Sequence, residues 1–271
     1  MNISQKIKQA SQELTAALDD CTRKPKKKRV HDVRTRCRRL EAAVSAVLST
    51  HGGVKELEEA GDALVRRLKK IRRGAGAVRD LDIHMSLVDD ISGNPPQDLD
   101  AAKKLKKQLK RERKRAAVEM LDVTSKQQKR FEKQAADFLQ LVVKMPPREL
   151  DLDTAALASA RFLEASAAMP VLKETNLHDF RKRSKSARYV AEIDPRNAAS
   201  AKLAKKLNEI QDSIGEWHDW VVLEMEAGDI LNGTGKRLLG TLHHERTRSY
   251  QRALQNARRI QKQLLHKAPA A

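Results

Sequence analysis

Aromatic side chains make up only 3% of this 271-residue chain: four Phe, two Trp and two Tyr. A core built of stacked rings is excluded, so Ala, Leu, Val and Ile must fill the interior. The rings that exist, among them Tyr189, Trp217, Trp220 and Tyr250, are not interleaved as a platform for stacking bases. Glycine (11) and proline (8) are sparse, and β alternation is absent. With two cysteines, Cys21 and Cys37, a disulfide scaffold is excluded. Both thiols lie beside basic residues, which favours reactivity, but an inert cytosolic thiol is the plainer expectation. No run of 18 apolar residues occurs, so no membrane span is expected. The opening MNISQKIKQA has no apolar signal core, and the expected location is cytoplasmic.

Charge and helix formers are abundant. Lys and Arg number 55 against 36 Asp and Glu, a formal net charge of +19. Self-repulsion on that scale suits a protein whose partner is a polyanion: DNA, RNA, an anionic membrane surface or a phosphate polymer. The composition points to long helices packed in bundles.

Period-3.6 patterning predicts eight helices, over 3–20, 26–50, 54–90, 98–144, 153–168, from about Thr175 to before Pro195, 198–231 and 236–266. Thr175 is the expected N-cap of the sixth. Four helices, a Pro146-Pro147 break and four more suggest a duplication, and residue matches support it. His31, Asp32, Arg34, Arg36 and Arg38 align with His178, Asp179, Arg181, Arg183 and Lys185 at an offset of 147. Leu68, Ile71, Gly76 and Asp80 align with Leu207, Ile210, Gly215 and Asp219 at 139. Leu109, Glu112, Arg113 and Arg115 align with Leu242, Glu245, Arg246 and Arg248 at 133. The order is kept while the offsets shrink, as shorter loops in the second half would produce. The expected architecture is all-α: two tandem four-helix bundles, residues 1–145 and 146–271, related by a pseudo-twofold axis.

The repeated helix has two faces. At about 100° per residue, His31, Arg34 and Arg38 share one narrow stripe, while Val33, Cys37, Leu40 and Val44 lie opposite. In the second copy His178, Arg181, Lys185 and Arg188 form the stripe and Phe180, Ala187 and Ala191 the apolar side. Like charges in a row destabilise a helix by a few tenths of a kcal/mol, roughly, per pair. Two such rows, each headed by histidine, suit a multivalent anion, because Arg offers forked contacts to phosphate oxygens and His donates most strongly when protonated. Arg66, Lys70 and Arg73 share a face of the third helix, and Lys206 stands where Arg67 does in the first copy. The run Lys103–Arg115 holds nine Lys or Arg in 13 residues, Arg113 among them, against a milder counterpart that begins at Arg246. Glycines 76 and 215 suggest close helix packing or a kink, and Asp80 and Asp219 are placed to hold the basic side chains.

The motifs HDVRTRCRRL and HDFRKRSKSARYV, followed by GAVRDLD and GEWHDW, resemble the CHAD family, the conserved histidine α-helical domain. The resemblance spans roughly residues 5 to 265. It implies two four-helix bundles around a basic central channel, binding of inorganic polyphosphate and, in bacteria, association with polyphosphate granules. By motif position it makes His31, Arg34, Arg38, Arg39, His178, Arg181, Lys185 and Arg188 ligand contacts. Arg66, Lys70, Arg73, Arg113, Lys206 and Arg246 widen the expected site. Two positions depart from the family pattern: Glu41 and Ser186 stand where basic residues are usual.

The expected function is therefore non-catalytic polyphosphate binding, with no cofactor and no metal. Nonspecific nucleic-acid binding is the alternative. A phosphoanhydride-cleaving enzyme is disfavoured, since there is no P-loop, no Gly-rich cradle and no compact carboxylate cluster for Mg²⁺. Histidine metal binding is disfavoured because adjacent His243 and His244 point about 100° apart on a helix. Glu56 to Ala60, ELEEA, lacks the lysine of a triphosphate-tunnel strand.

Overall fold

The computed structural model describes residues 2–51, 53–92, 98–146 and 152–266. Among these, eight α-helices and no strand occur: α1 Ile3–Arg23, α2 Lys27–Thr50, α3 Lys55–Ser92, α4 Leu99–Val143, α5 Thr154–Ala168, α6 Glu174–Ala191, α7 Ala198–Leu231 and α8 Lys236–Leu265. The expected all-α class and its eight segments are thus observed.

Local chemistry explains most ends. Asn2 accepts the Ser4 N–H at 2.8 Å to start α1. Asp153 accepts the N–H groups of Ala155 and Ala156 to start α5. Asn197 accepts that of Ser200 to start α7. Pro25 separates α1 from α2, and Arg113 Nη2 donates to its carbonyl at 2.7 Å. Between α7 and α8 the chain turns through positive φ at Asn232, Gly233 and Gly235. Gly235 has a second reason to lack a side chain: a methyl group there would meet Ala101 Cβ at 2.9 Å. The start of α6 corrects the sequence expectation. Thr175 lies within the first turn, and the capping side chain is Asn176, whose Oδ1 accepts the Lys173 N–H at 2.8 Å while its Nδ2 donates to the Val171 carbonyl. This is the reach-back half of a capping box.

The chain folds into two compact units. The first comprises Met1–Arg79, Arg113–Leu157 and Tyr189–Ala201; the second comprises Asp80–Glu112, Ala158–Arg188 and Lys202–Ala271. In the first unit Leu14 and Leu18 of α1, Val33, Cys37, Leu40 and Val44 of α2, Leu64, Leu68 and Ile71 of α3, and Phe131 and Phe138 of α4 form one core. The apolar stripe expected on α2 is the stripe that is buried. In the second, Leu105 and Leu109 of α4 pack with Trp220, Leu223 and Leu231 of α7 and Leu238 and Leu242 of α8. Phe162 of α5 meets Phe180 of α6 edge-on at 6.0 Å. Each fully buried Leu or Phe contributes about 1.5–3 kcal/mol, so these stripes orient α2 and α6 and leave their basic edges outside the cores.

Candidate anion-binding site

In the first unit, the basic edge of α2 meets α3 and the end of α6. Arg34 lies across Gly76 of α3: a methyl group built there would come 4.0 Å from Arg34 Nε. Arg38 is half-buried, with its guanidinium 5.9 Å from the Tyr189 ring centroid, a cation–π arrangement. Its Nε has no hydrogen-bond partner. Burial, then the nearby Arg72, pull its pKa down to about 10, with Tyr189 opposing and Arg34 adding to the effect. Three guanidinium groups therefore crowd one place around a single carboxylate, Glu41, and Arg38 stays charged at neutral pH. Arg72 pairs with Glu41 at 2.9 Å, the two side chains only 19% and 15% exposed. The unusual Glu41 thus holds a cation from α3. His31 is exposed at the head of the row, its Nε2 3.3 Å from Thr35 Oγ1. Arg39 is exposed and pairs with Glu192 at 3.6 Å.

In the second unit, α6 repeats the theme against α7. Arg181 lies so close to Gly215 that a methyl group there would meet its Nη2 at 2.5 Å. Its Nε donates to the Gln211 carbonyl at 3.1 Å. Lys185 is buried. Arg188 donates to Asn208. Arg161 of α5 donates to Ser186 Oγ at 2.9 Å, so a cation from another helix stands beside the position where the family pattern has one.

His178 does not behave like His31. Its ring meets that of His218 edge-on, with centroids 4.0 Å apart and planes at 87°. Its Nδ1 is buried without a hydrogen-bond partner. Burial, then His218, Lys182, Arg181 and Lys185, push its pKa down to about 4. His218 is also held below the usual imidazole range, by burial and by Arg181, against the pull of its own backbone hydrogen bond, Asp219 and Asp80. The His178 row therefore meets neutral pH with an uncharged histidine in the ligand-free chain.

The remaining predicted residues are placed as follows. Arg66, Lys70 and Arg73 are exposed on α3. Arg113 is bound to the Pro25 carbonyl. Lys206 donates to Gln263 at 2.8 Å. Arg246 pairs with Glu224 at 3.1 Å. In the first unit Arg34 and Arg38 thus lie together, with Arg66, Lys70 and Arg73 on an open face. Sequence reasoning missed Arg72, Tyr189, Arg161 and His218 as members of these clusters. For His218 a signal existed: it stands three residues after Gly215, on the helix face that receives Arg181.

The cysteines are buried and unbridged. Burial pushes the Cys21 thiol up to about 11 despite Arg29 and Arg113, and burial pushes Cys37 up as well. The inert reading of both holds. Among the described residues, no group of three or more His, Cys, Asp or Glu is placed to hold a metal ion. Among them also, no helix is long and apolar enough to cross a membrane.

In both copies an arginine of the repeated His-Asp-x-Arg helix thus lies over a glycine of the next helix. The chain belongs to the CHAD family: the CHAD domain profile matches residues 5–228. The fold resembles that of PptA from Streptomyces chartreusis, with a TM-score of 0.68 and 17% identity over 98% of each chain. It also resembles the CHAD domain from the plant Ricinus communis, with a TM-score of 0.66 and 16% identity over 100% of this chain and 93% of that one. No curated protein sequence matches the chain.

Proposed function

We propose that the chain binds inorganic polyphosphate without cleaving it, through the cationic rows of α2 and α6. The observation that carries this reading is the crowding of Arg34, Arg38 and Arg72, where burial and then the neighbouring guanidinium groups lower the pKa of Arg38 while leaving it charged at neutral pH. A multivalent anion relieves that repulsion and supplies acceptors for Arg38 Nε and the guanidinium forks. Membership of the CHAD family supports the same ligand. A chain bearing about one charge per phosphate and no bases fits rows without stacking rings. Binding should weaken steeply with salt, as counterion release requires in the nucleic-acid analogue. The finer architecture belongs to this proposal too: two tandem four-helix bundles, 1–145 and 146–271, pseudo-twofold related, lining a basic central channel, in a cytoplasmic protein associated with polyphosphate granules. The rows consist of donors, and the carboxylates beside them, Glu41 and Glu192, are engaged by Arg72 and Arg39; no group is assigned to hydrolysis.

The test compares two double variants by competition titration near physiological salt. Arg34→Ala with Arg181→Ala should lower polyphosphate affinity at least about tenfold, the scale of one lost charge-assisted hydrogen bond. Lys104→Ala with Lys107→Ala should lower it less than about twofold, because those cations lie off the rows. Equal losses would show that bulk charge does the binding. Phosphate release from polyphosphate with Mg²⁺ or Mn²⁺ would overturn the non-catalytic reading.

A further inference from the structure

A groove of about 440 Å³ opens in the second unit between α4 and α7. One wall carries Lys104, Lys107, Gln108 and Arg111; the other carries Asp229 and Ile230. The three cations are exposed and stand at i, i+3 and i+7 of one helix face, so they span about 10 Å along the axis. Several other cations of this unit have acidic partners: Lys106 with Asp89, Lys182 with Asp179, Arg252 with Glu216, Arg259 with Glu209. Along the groove Glu112 is engaged by Gln108, and among the described lining residues one carboxylate, Asp229, faces the cations from the opposite wall. The row therefore gathers three exposed cations along one wall of the groove, on α4 rather than on α2 or α6.

The opposite wall decides what the groove accepts. A mineral chain charged at every unit would place phosphate against the Asp229 carboxylate and the apolar Ile230. A nucleotide chain alternates a phosphate with a neutral sugar and base. Its phosphate can lie on Lys104, Lys107 and Arg111, while a sugar hydroxyl or an exocyclic amine donates to Asp229 and the flat base covers Ile230. The volume is in the range that holds a small organic ligand, enough for a nucleotide unit but not for a duplex. We propose that the α4–α7 groove is a single-stranded nucleic-acid site, separate from the polyphosphate rows and indifferent to sequence.

The full chain is titrated with a fluorescent oligouridylate and, separately, with labelled polyphosphate, near physiological salt. The triple variant Lys104→Ala, Lys107→Ala, Arg111→Ala should weaken oligouridylate binding at least about tenfold and change polyphosphate binding less than about twofold. A control triple removing three other exposed cations of the same unit, Lys202→Ala, Arg237→Ala, Lys262→Ala, should leave both ligands nearly unaffected. Thermal melts verify that each variant is folded. Equal loss in the control triple, equal loss of both ligands in the groove triple, or no oligouridylate binding by the unaltered chain would each overturn the proposal. Failure of the polyphosphate reading shows instead in the Arg34→Ala, Arg181→Ala variant, so the two failures are distinguishable.

Discussion

Gly215 and Arg181 occupy the same space that a single methyl group would need. In an ordinary helix interior, Gly→Ala stabilises by about 0.5–1 kcal/mol. At position 215 the new Cβ would stand 2.5 Å from Arg181 Nη2. The guanidinium is the far end of a flexible side chain, so it moves aside and gives up its bond to the Gln211 carbonyl. Gly215→Ala should leave the melting temperature nearly unchanged and lower polyphosphate affinity. Gly76→Ala meets Arg34 only at van der Waals distance; it should raise the melting temperature and keep the affinity. Paired melts and titrations of the two variants check this asymmetry. The glycines were visible in the sequence as aligned positions, and their close-packing role was expected. Which residue packs on them was not, because two helices must dock before Arg181 has a neighbour.

At the scale of the element, sequence patterning carried far. Apolar spacing located every helix within about three residues, since a stripe of 3.6 period and a Pro or Gly break are local signals. The exception is instructive. Thr175 had the right chemistry for an N-cap, but α6 starts one residue earlier and Asn176 reaches back to the Lys173 N–H. Both residues are plausible caps in isolation, and the choice depends on where Val171 and Leu172 are anchored; Leu172 is buried and Val171 accepts from Asn176. Asn176→Ala should destabilise the protein by about 1 kcal/mol, while Thr175→Ala should be nearly neutral. Urea denaturation of both variants measures the difference, and α6 is the element whose fraying would expose the His178 row.

For the whole molecule the governing quantity is positive charge, +19 in formal terms. It makes stability sensitive to salt and to pH in one direction. The unfolded chain protonates His178 below about pH 6.5, whereas the folded chain does so only near 4. The native state thus binds fewer protons in that window, so stability falls as pH drops through it and is level above it. His218, also lowered, acts with the same sign, and the loss of carboxylate charge at still lower pH increases the self-repulsion. Denaturation midpoints should fall between pH 7 and 4.5, and His178→Gln should flatten part of that slope. An unchanged slope in this variant would remove His178 as a source.

The linear sequence determined the helices, the apolar stripes, the duplicated His-Asp-x-Arg rows and the excess of positive charge, because all of these follow from residue type and spacing along one helix. It also held the family signature. Only the folded chain decided which cations share a place. Arg72 joins Arg38 across two helices, Tyr189 closes over that guanidinium from 151 residues further on, and burial, then His218, lower the pKa of His178. Protonation, crowding and hydrogen-bond satisfaction depend on neighbours brought together by packing, and helical periodicity carries no information about a neighbour on another helix.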